Sequence, residues 1–505
     1  MLPIDGKQHS PRPTLFPTLF PLSFPLAGLS LHQPWHASEK YIGRLGTLFY
    51  LEIFRLVETR GRELFTISAA RVFRKHLDGG MKMQLNRRSF GYLAGMGVVA
   101  SQVQIGRASP VQRQRIAFLG TKVYQHSHAQ HFLDRHAMGY TFAGRWQEPR
   151  FDIGSVFIDQ FGEADLGKQR IEKYRLRSFP TIEEALTLGT SKLAVDGVVI
   201  IAEHGDYPVN EMAQKRYPRY EWFKKVVKVF EDSGRSVPVF NDKHLSTVWS
   251  ECKEMVDDSV RLKFPFLAGS SLPVTWRMPA TEFALDTPLK ESVCVCYGGV
   301  DSYDFHGLET AQCMSERRRG GESGVKRVLA VKGDRVWQEM ELAEQNDTRR
   351  LFVAALTRSH NLPVEGGFPT APVTYEWAKQ VMKDSVTAYF IEHNDGFRTC
   401  MFLCPIRDFN YAGLRTDTGA IVSCQMYLPM PTHGSTTADF FNPLARHIED
   451  VVLTGRTPYP VERTLLTSGI VIAAVESLFQ KQVPIETPHL AVRYRAIGES
   501  AFWRE

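Results

Sequence analysis

An α/β fold is predicted, with a Rossmann-like doubly wound parallel sheet followed by an α+β domain on a mostly antiparallel open sheet. Three observations predict it. Between residues 115 and 271 short apolar runs alternate with helical segments, the rhythm of βαβ units. Two of those runs, Val195–Ile201 and Val237–Phe240, are apolar but for Asp196, as strands buried on both faces are. Beyond Pro273 the alternation stops, and strand-like runs follow one another before two late helical segments.

Arg115–Gly120 reads as the first strand and ends in glycine. Gly154–Asp159 is the second, Arg177–Phe179 the third, Val195–Ile201 the fourth, Val237–Phe240 the fifth and Phe264–Ala268 the sixth. Leu166–Tyr174 and Tyr217–Glu231 carry helical periodicity, the latter stopped by Ser233-Gly234. Thr181-Ile-Glu-Glu184 opens a further helix as a capping box. In the second half Ser292–Tyr297, Val325–Lys332, Ala388–Glu392, Arg398–Phe402 and Ala420–Met426 read as strands, and Ala438–Leu453 and Val461–Gln480 as helices. The expected division is a Rossmann-like domain at 109–272 and a substrate domain at 273–505.

The composition, 43% hydrophobic and 23% charged, is that of an ordinary globular protein. The net charge of +6 is local: residues 1–108 hold 14 of the 61 Lys/Arg and 6 of the 55 Asp/Glu, leaving 47 against 49 beyond them. The basicity therefore belongs to the leader and gives no basis for a nucleic-acid partner. From Met81, MKMQLNRRSFGYLAGMGVVASQVQIGRAS pairs Arg87 and Arg88 with a modestly apolar stretch. It reads as a twin-arginine-type signal peptide cut near Ala108. Translation is then expected to start at Met81 or Met83, residues 1–80 are an over-extended, disordered start, and the mature protein is periplasmic or otherwise exported. The apolar stretch is too short and too rich in glycine for a stable membrane span. Seven cysteines form no disulfide or zinc pattern: Cys294 and Cys296 alternate faces of one strand, and Cys400 and Cys404 lack a second pair. They read as buried thiols.

Both apolar runs stop at charged clusters, Glu203, His204 and Asp206 after the fourth strand, and Asn241, Asp242, Lys243 and His244 after the fifth. Ligands of such sheets bind beyond the carboxyl ends of the strands, which makes these clusters the candidate site. A lysine there donates a proton or stabilises an alkoxide; the plainer reading is an ion pair with Asp242. Glu203, His204 and Asp206 suit a ribose or sugar, and Asp206-Tyr-Pro equally suits a turn into a helix. Of His126, His128 and His131, only the last two share a helix face, so they read as a polar cleft wall before a metal site. His306, Glu309 and Cys313 likewise read as one helix face, with Glu309 placed to orient His306. Arg277 and the loop Arg317–Gly324 are candidates for gripping an anionic substrate.

Four segments, VDGVVIIAEHGDYP, SVPVFNDK, GGVDSYDFHGLET and LTGRTPYPVERTLLTSGIVIAAVESLFQKQVPIETP, stand in an order that resembles the Gfo/Idh/MocA family of oxidoreductases across residues 115–495. The resemblance implies an exported NAD- or NADP-dependent oxidoreductase acting on a sugar or sugar-like hydroxyl. It places Lys243 near the nicotinamide and substrate hydroxyl, and His306, supported by Glu309, as the acid/base. Gly120, Thr121, Lys122, Asp159 and Glu203 then fall to the cofactor, and His204, Asp206, Asp242, Arg277 and Asp304 to the substrate. Two departures stand out. The dinucleotide fingerprint needs three glycines, whereas Gly120-Thr-Lys-Val-Tyr-Gln-His keeps only the first and offers Lys122 to a phosphate. The family's Glu-Lys-Pro is here Asp242-Lys243-His244. Two other classes therefore stay open on the same cleft: a cofactor-independent or metal-assisted carbohydrate hydrolase or lyase, and a non-catalytic carbohydrate-binding protein. The partner is in every case a small molecule, with the largely β second domain a candidate surface for homo-oligomer contacts.

Overall fold

The first sheet grows outward from β1 (Arg115–Gly120), whose RIAFLG sequence is buried from Ile116 onward. The computed structural model describes residues 113–163, 165–360, 362, 373–428 and 437–504; the export signal and over-extended start expected from the sequence lie outside them. After β1 come α1 (His128–Met138), a hairpin of β2 (Tyr140–Phe142) and β3 (Arg145–Gln147), β4 (Asp152–Ile158), α2 (Gly167–Lys173), α3 (Ile182–Thr187), β5 (Gly197–Ile201), α4 (Arg219–Ser233), β6 (Val239–Asp242), α5 (Trp249–Arg261) and β7 (Phe266–Gly269). The strands lie in the order β4-β1-β5-β6-β7, with parallel pairing throughout.

Local chemistry explains most of these boundaries. Thr181 caps α3 by accepting Glu184 N–H at 3.1 Å, as the capping box requires. α4 turns Trp222, Phe223, Val226, Val227 and Phe230 onto the sheet and stops at Gly234, which takes φ 63° in the left-handed region. The expected third strand at Arg177–Phe179 is reduced to one parallel bridge between Val156 and Ser178. Arg177 and Ser178 are exposed, so this edge lacks the buried face that would hold a longer ladder. Counting that bridge, the order is that of a Rossmann sheet, with its switch point between β1 and β5. The β2–β3 hairpin was not foreseen. Its turn is Ala143-Gly144, both at positive φ, and alanine there is a poor sequence signal because its Cβ disfavours that region.

The second sheet follows from β8 (Arg277–Met278) through β9 (Leu289–Cys296), α6 (Asp304–Ser315), β10 (Val325–Lys332), α7 (Asp334–Met340), α8 (Asn346–Leu356), α9 (Tyr375–Met382), β11 (Thr387–His393), β12 (Arg398–Leu403), β13 (Phe409–Arg415), β14 (Ile421–Met426), α10 (Asn442–Thr454), α11 (Glu462–Phe479) and β15 (Ile485–Glu486). Its order is β15-β10-β11-β12-β9-β13-β14-β8, antiparallel except for the β12–β9 pair. Alternation along β9 sorts its side chains: Cys294 and Cys296 join Phe305, Leu308 and Met314 of α6, while Val293 and Val295 join Leu351, Phe352 and Leu356 of α8. The far face thus carries the chain's own helices α7–α9. All seven cysteines are buried free thiols. Among the described residues no helix is long and apolar enough to cross a membrane.

The described residues, from Arg113 onward, form one compact unit holding both sheets. α11 is the bolt between them, packing on α5 of the first layer and on β10 and α6 of the second. Where β7 ends, Gly269 takes φ 127°, and a Cβ there would sit 2.7 Å from Glu309 Oε2 and 2.9 Å from Tyr459 Oη. Only glycine fits. Glu309, wholly buried, accepts from Thr467 Oγ1 at 3.0 Å, and burial pushes its carboxyl up to about 7 from the usual 4.5. A raised carboxyl stabilises the fold fully below pH 4.5 and loses that contribution as pH rises through about 7. Thermal denaturation at pH 5 and pH 8 is the measurement: Glu309→Gln is expected to gain on the native chain by on the order of 3 kcal/mol between the two, and a gap that does not change with pH contradicts the assignment.

Candidate functional site

Two strand ends and the start of one helix bring the cluster together. β5 runs out into Ala202-Glu203-His204, β6 ends on Asp242 and passes directly into Lys243, and α1 begins at His128 behind its cap Ser127. Lys243 adopts φ 72°, a left-handed conformation rare for a residue with a side chain. Its N–H donates to Gly269 O at 3.0 Å, pinning the end of β6 to that of β7. The residue is 4% exposed. Its ammonium lies 3.0 Å from His306 Nε2 on α6, 3.0 Å from His128 Nε2 and 3.2 Å from Glu203 Oε2.

That geometry fixes proton positions. An ammonium has donors and no lone pair, so the nearest ring nitrogen of each histidine, Nε2, accepts; His128 Nδ1 lies farther from it, at 3.3 Å, and closer to a carboxylate. His128 then donates from Nδ1 to Asp242 Oδ2 at 2.8 Å. His306 carries its proton on Nδ1, which is buried and has no hydrogen-bond partner among the described residues. Burial, aided by the Lys243 charge, holds His306 well below the usual imidazole value and keeps it neutral near pH 7. Burial acts to raise the Glu203 carboxyl, but Lys243 and His128 outweigh it and hold it well below 4.5. The series Asp242–His128–Lys243–His306, flanked by Glu203, polarises an oxygen placed against the ammonium and offers a neutral imidazole to receive a proton.

Aromatic and polar groups wall the cluster. Tyr124 meets His204 edge-on with centroids 5.1 Å apart, Tyr303 lies 5.8 Å from His306, and Phe441 packs edge-on against His128 at 4.7 Å. Burial pushes Tyr124 and Tyr303 up to about 12, aided by the Glu203 charge at Tyr124 and by Tyr297 before Glu203 at Tyr303, so both keep their hydroxyl protons. Burial lowers His204 to about 4. Arg219, buried behind, reaches His244 Nε2 at 3.0 Å.

The remaining sequence candidates divide by location. Gly120 ends β1, where a Cβ would come within 3.2 Å of Ile158 and Phe118. The Thr121 hydroxyl donates to the Glu203 carbonyl, tying the loop after β1 to the loop after β5. Lys122 is partly exposed in that first loop. Asp159, just beyond β4, accepts from Tyr207 Oη at 2.6 Å. Asp206 is exposed, with its N–H on Gln160 Oε1 at 2.8 Å.

Four candidates are corrected. Arg277 is 4% exposed and spent on Glu282 at 3.6 Å and the ring of Phe502 at 3.9 Å, so no guanidinium is offered to a soluble substrate. Arg317 and Arg318, from the loop expected to grip anions, are likewise buried on backbone carbonyls and Glu322. Asp304 is fully buried and accepts from Tyr389 Oη at 2.8 Å and from the backbone of its own helix start. Glu309 does not orient His306; its oxygens face Thr467 and Ser270. The helix presents the two residues to different neighbours.

His126 and His131 do not converge with His128: the former pair has centroids 6.1 Å apart, and His131 stacks on Phe441 at 5.0 Å. Sequence reasoning gave no role to Tyr303, Arg219 or Phe441. No spacing signal links residues so far apart in the chain to this cleft.

No model of a known protein family matches the chain, and no curated protein does. Solved structures similar to it include GenD2 from gentamicin A biosynthesis in complex with NAD, at 14% identity over 75% of this chain and 97% of that one, with TM-score 0.46. A probable dehydrogenase from Thermotoga maritima is 11% identical over 74% and 99%, TM-score 0.44. Myo-inositol dehydrogenase from Lactobacillus casei, in complex with NAD(H) and myo-inositol, is 10% identical over 74% and 96%, TM-score 0.45.

The cluster's energetics are directly measurable. Lys243→Met strands Glu203 without its cation and is expected to destabilise the fold by about 3 kcal/mol or more. Adding Glu203→Gln removes the stranded charge and is expected to restore at least half of that in urea titrations; strictly additive losses contradict the pairing.

Proposed function

We propose that the protein is an oxidoreductase interconverting a hydroxyl and a carbonyl on a sugar or sugar-like substrate, with NAD or NADP as the expected cofactor. The observation that carries this reading is the Lys243 ammonium 3.0 Å from a neutral His306 at the carboxyl edge of a Rossmann-ordered sheet. Alcohol oxidation requires the hydroxyl to lose its proton as the carbon gives up hydride. Lys243 stabilises the developing alkoxide, and His306 takes the proton from it by way of the ammonium. Glu203 and Asp242 hold the charge of this relay in place.

The residues present fit a dinucleotide by a modified route. The switch point between β1 and β5 lies where such cofactors bind. Lys122 supplies a cation in place of glycine-mediated approach to the diphosphate. Asp159 sits at the end of the strand beside β1, where its carboxylate suits ribose hydroxyls by exchanging the Tyr207 contact. The bound nicotinamide would supply the hydride acceptor. Tyr124, His204 and Tyr303 offer hydroxyl and ring contacts of the kind a polyol uses. The Arg87-Arg88 leader supports export of the folded enzyme.

The test is to purify the full chain, denature it and look for released nucleotide by absorbance and mass, alongside thermal shifts with added NAD and NADP. Bound or stabilising nucleotide is expected, with turnover on a panel of monosaccharides and polyols. His306→Gln is expected to lower kcat/KM by about 10² to 10⁴ while leaving nucleotide binding unchanged. No released nucleotide together with no thermal shift overturns the proposal.

A further inference from the structure

We propose that His128, Glu203 and Asp242 form a binding site for one divalent first-row transition-metal ion, open on its remaining side to substrate oxygen. The inference does not rest on the nucleotide reading, since all three groups belong to the chain and their geometry is independent of a cofactor.

Distances carry it first. His128 Nδ1 lies 2.8 Å from Asp242 Oδ2 and 3.4 Å from Glu203 Oε2, and the three ligand atoms fall within 4.8 Å of one another. Metal–ligand bonds of about 2.0–2.2 Å place neighbouring ligands of a tetrahedral or octahedral ion about 3.0–3.5 Å apart. Small side-chain movements bring the trio onto one ion, which displaces the proton His128 Nδ1 now shares with Asp242 and the Lys243 ammonium now held by His128 and Glu203. The donor set, one imidazole and two carboxylates, suits Zn²⁺, Mn²⁺ or Fe²⁺.

Unused lone pairs carry it second. Asp242 is 1% exposed, and its Oδ1 has no hydrogen-bond donor among the described residues. A buried carboxylate oxygen left in this way is costly unless a cation meets it. Lys243 reaches Glu203 as an ion pair at 3.2 Å but does not satisfy Asp242 Oδ1. The ammonium and the metal therefore compete for Glu203. An ion that wins frees the ammonium to face substrate.

The surroundings hold the ligands still, as outer contacts of metal sites do. The Thr121 hydroxyl fixes the Glu203 backbone, Asn241 Nδ2 bonds the Asp242 carbonyl at 3.3 Å, and Phe441 packs against the His128 ring. The three ligands come from three separate elements, so no spacing in the sequence announces them.

Chelator-stripped full-length protein should be dialysed against Mn²⁺ and, separately, Zn²⁺ without nucleotide, and the metal counted per chain. One ion per chain is expected, with Glu203→Gln and Asp242→Asn each weakening binding at least about 30-fold while circular dichroism reports a folded chain. Pulsed EPR of the Mn²⁺-loaded native chain is expected to show coupling to one imidazole nitrogen, lost in His128→Gln. No stoichiometric binding of either metal, unchanged affinity in the folded carboxylate variants, or absence of the nitrogen coupling overturns the proposal. If the variants fail to fold, the native-chain EPR decides alone. Because nucleotide is omitted throughout, failure here leaves the oxidoreductase reading standing, and failure there leaves this one standing.

Discussion

A lysine ammonium buried among one carboxylate and two imidazoles is the constraint on which the rest of the site depends. An isolated buried charge is expensive, and nearby opposite charge and acceptors are what make it tolerable. Lys243 gathers them from three directions: Glu203 from the end of β5, His128 from the first turn of α1, and His306 from α6 of the second layer. The ion pair and hydrogen bonds therefore join the two sheets chemically as well as closing a cleft. Removing any one partner changes the protonation logic of the others.

The scaffold explains how such a cluster is held. Lys243 sits in a left-handed conformation that costs on the order of 1–2 kcal/mol, and its backbone is pinned to Gly269. Gly269 must be glycine because Glu309 and Tyr459 crowd it. Glu309 in turn meets Thr467 on α11, the helix that bolts the layers together. The residue expected to orient His306 thus acts one step back, in the packing that fixes where β7 ends. Strain at Lys243 is sustained by a neighbourhood that leaves the backbone no alternative.

Much of this was legible in the sequence, and the limits have physical causes. Short apolar runs located β1, β5 and β6, because burial on both faces selects against polar residues until the strand ends. Lys243 and His306 were both singled out, and the structure brings them to 3.0 Å. His128 was weighed only beside His126 and His131, since helical periodicity relates neighbours along one helix and says nothing about Asp242, 114 residues on. Arg277 was misread because charge alone does not reveal that Glu282 and Phe502 bury it. The Ala143-Gly144 hairpin and the lone bridge at Ser178 lacked local signals strong enough to compete with tertiary context.

One hydrogen bond carries the chemistry of the cleft: Lys243 donates to Nε2 of a neutral His306. Selective ¹⁵N-histidine labelling with two-bond proton–nitrogen correlation reads that tautomer directly, with His306→Gln supplying the assignment. The expected result near pH 7 is a neutral His306 ring protonated at Nδ1 only. A His306 imidazolium, or a neutral ring with its proton on Nε2, would place no acceptor before the ammonium and contradict the account.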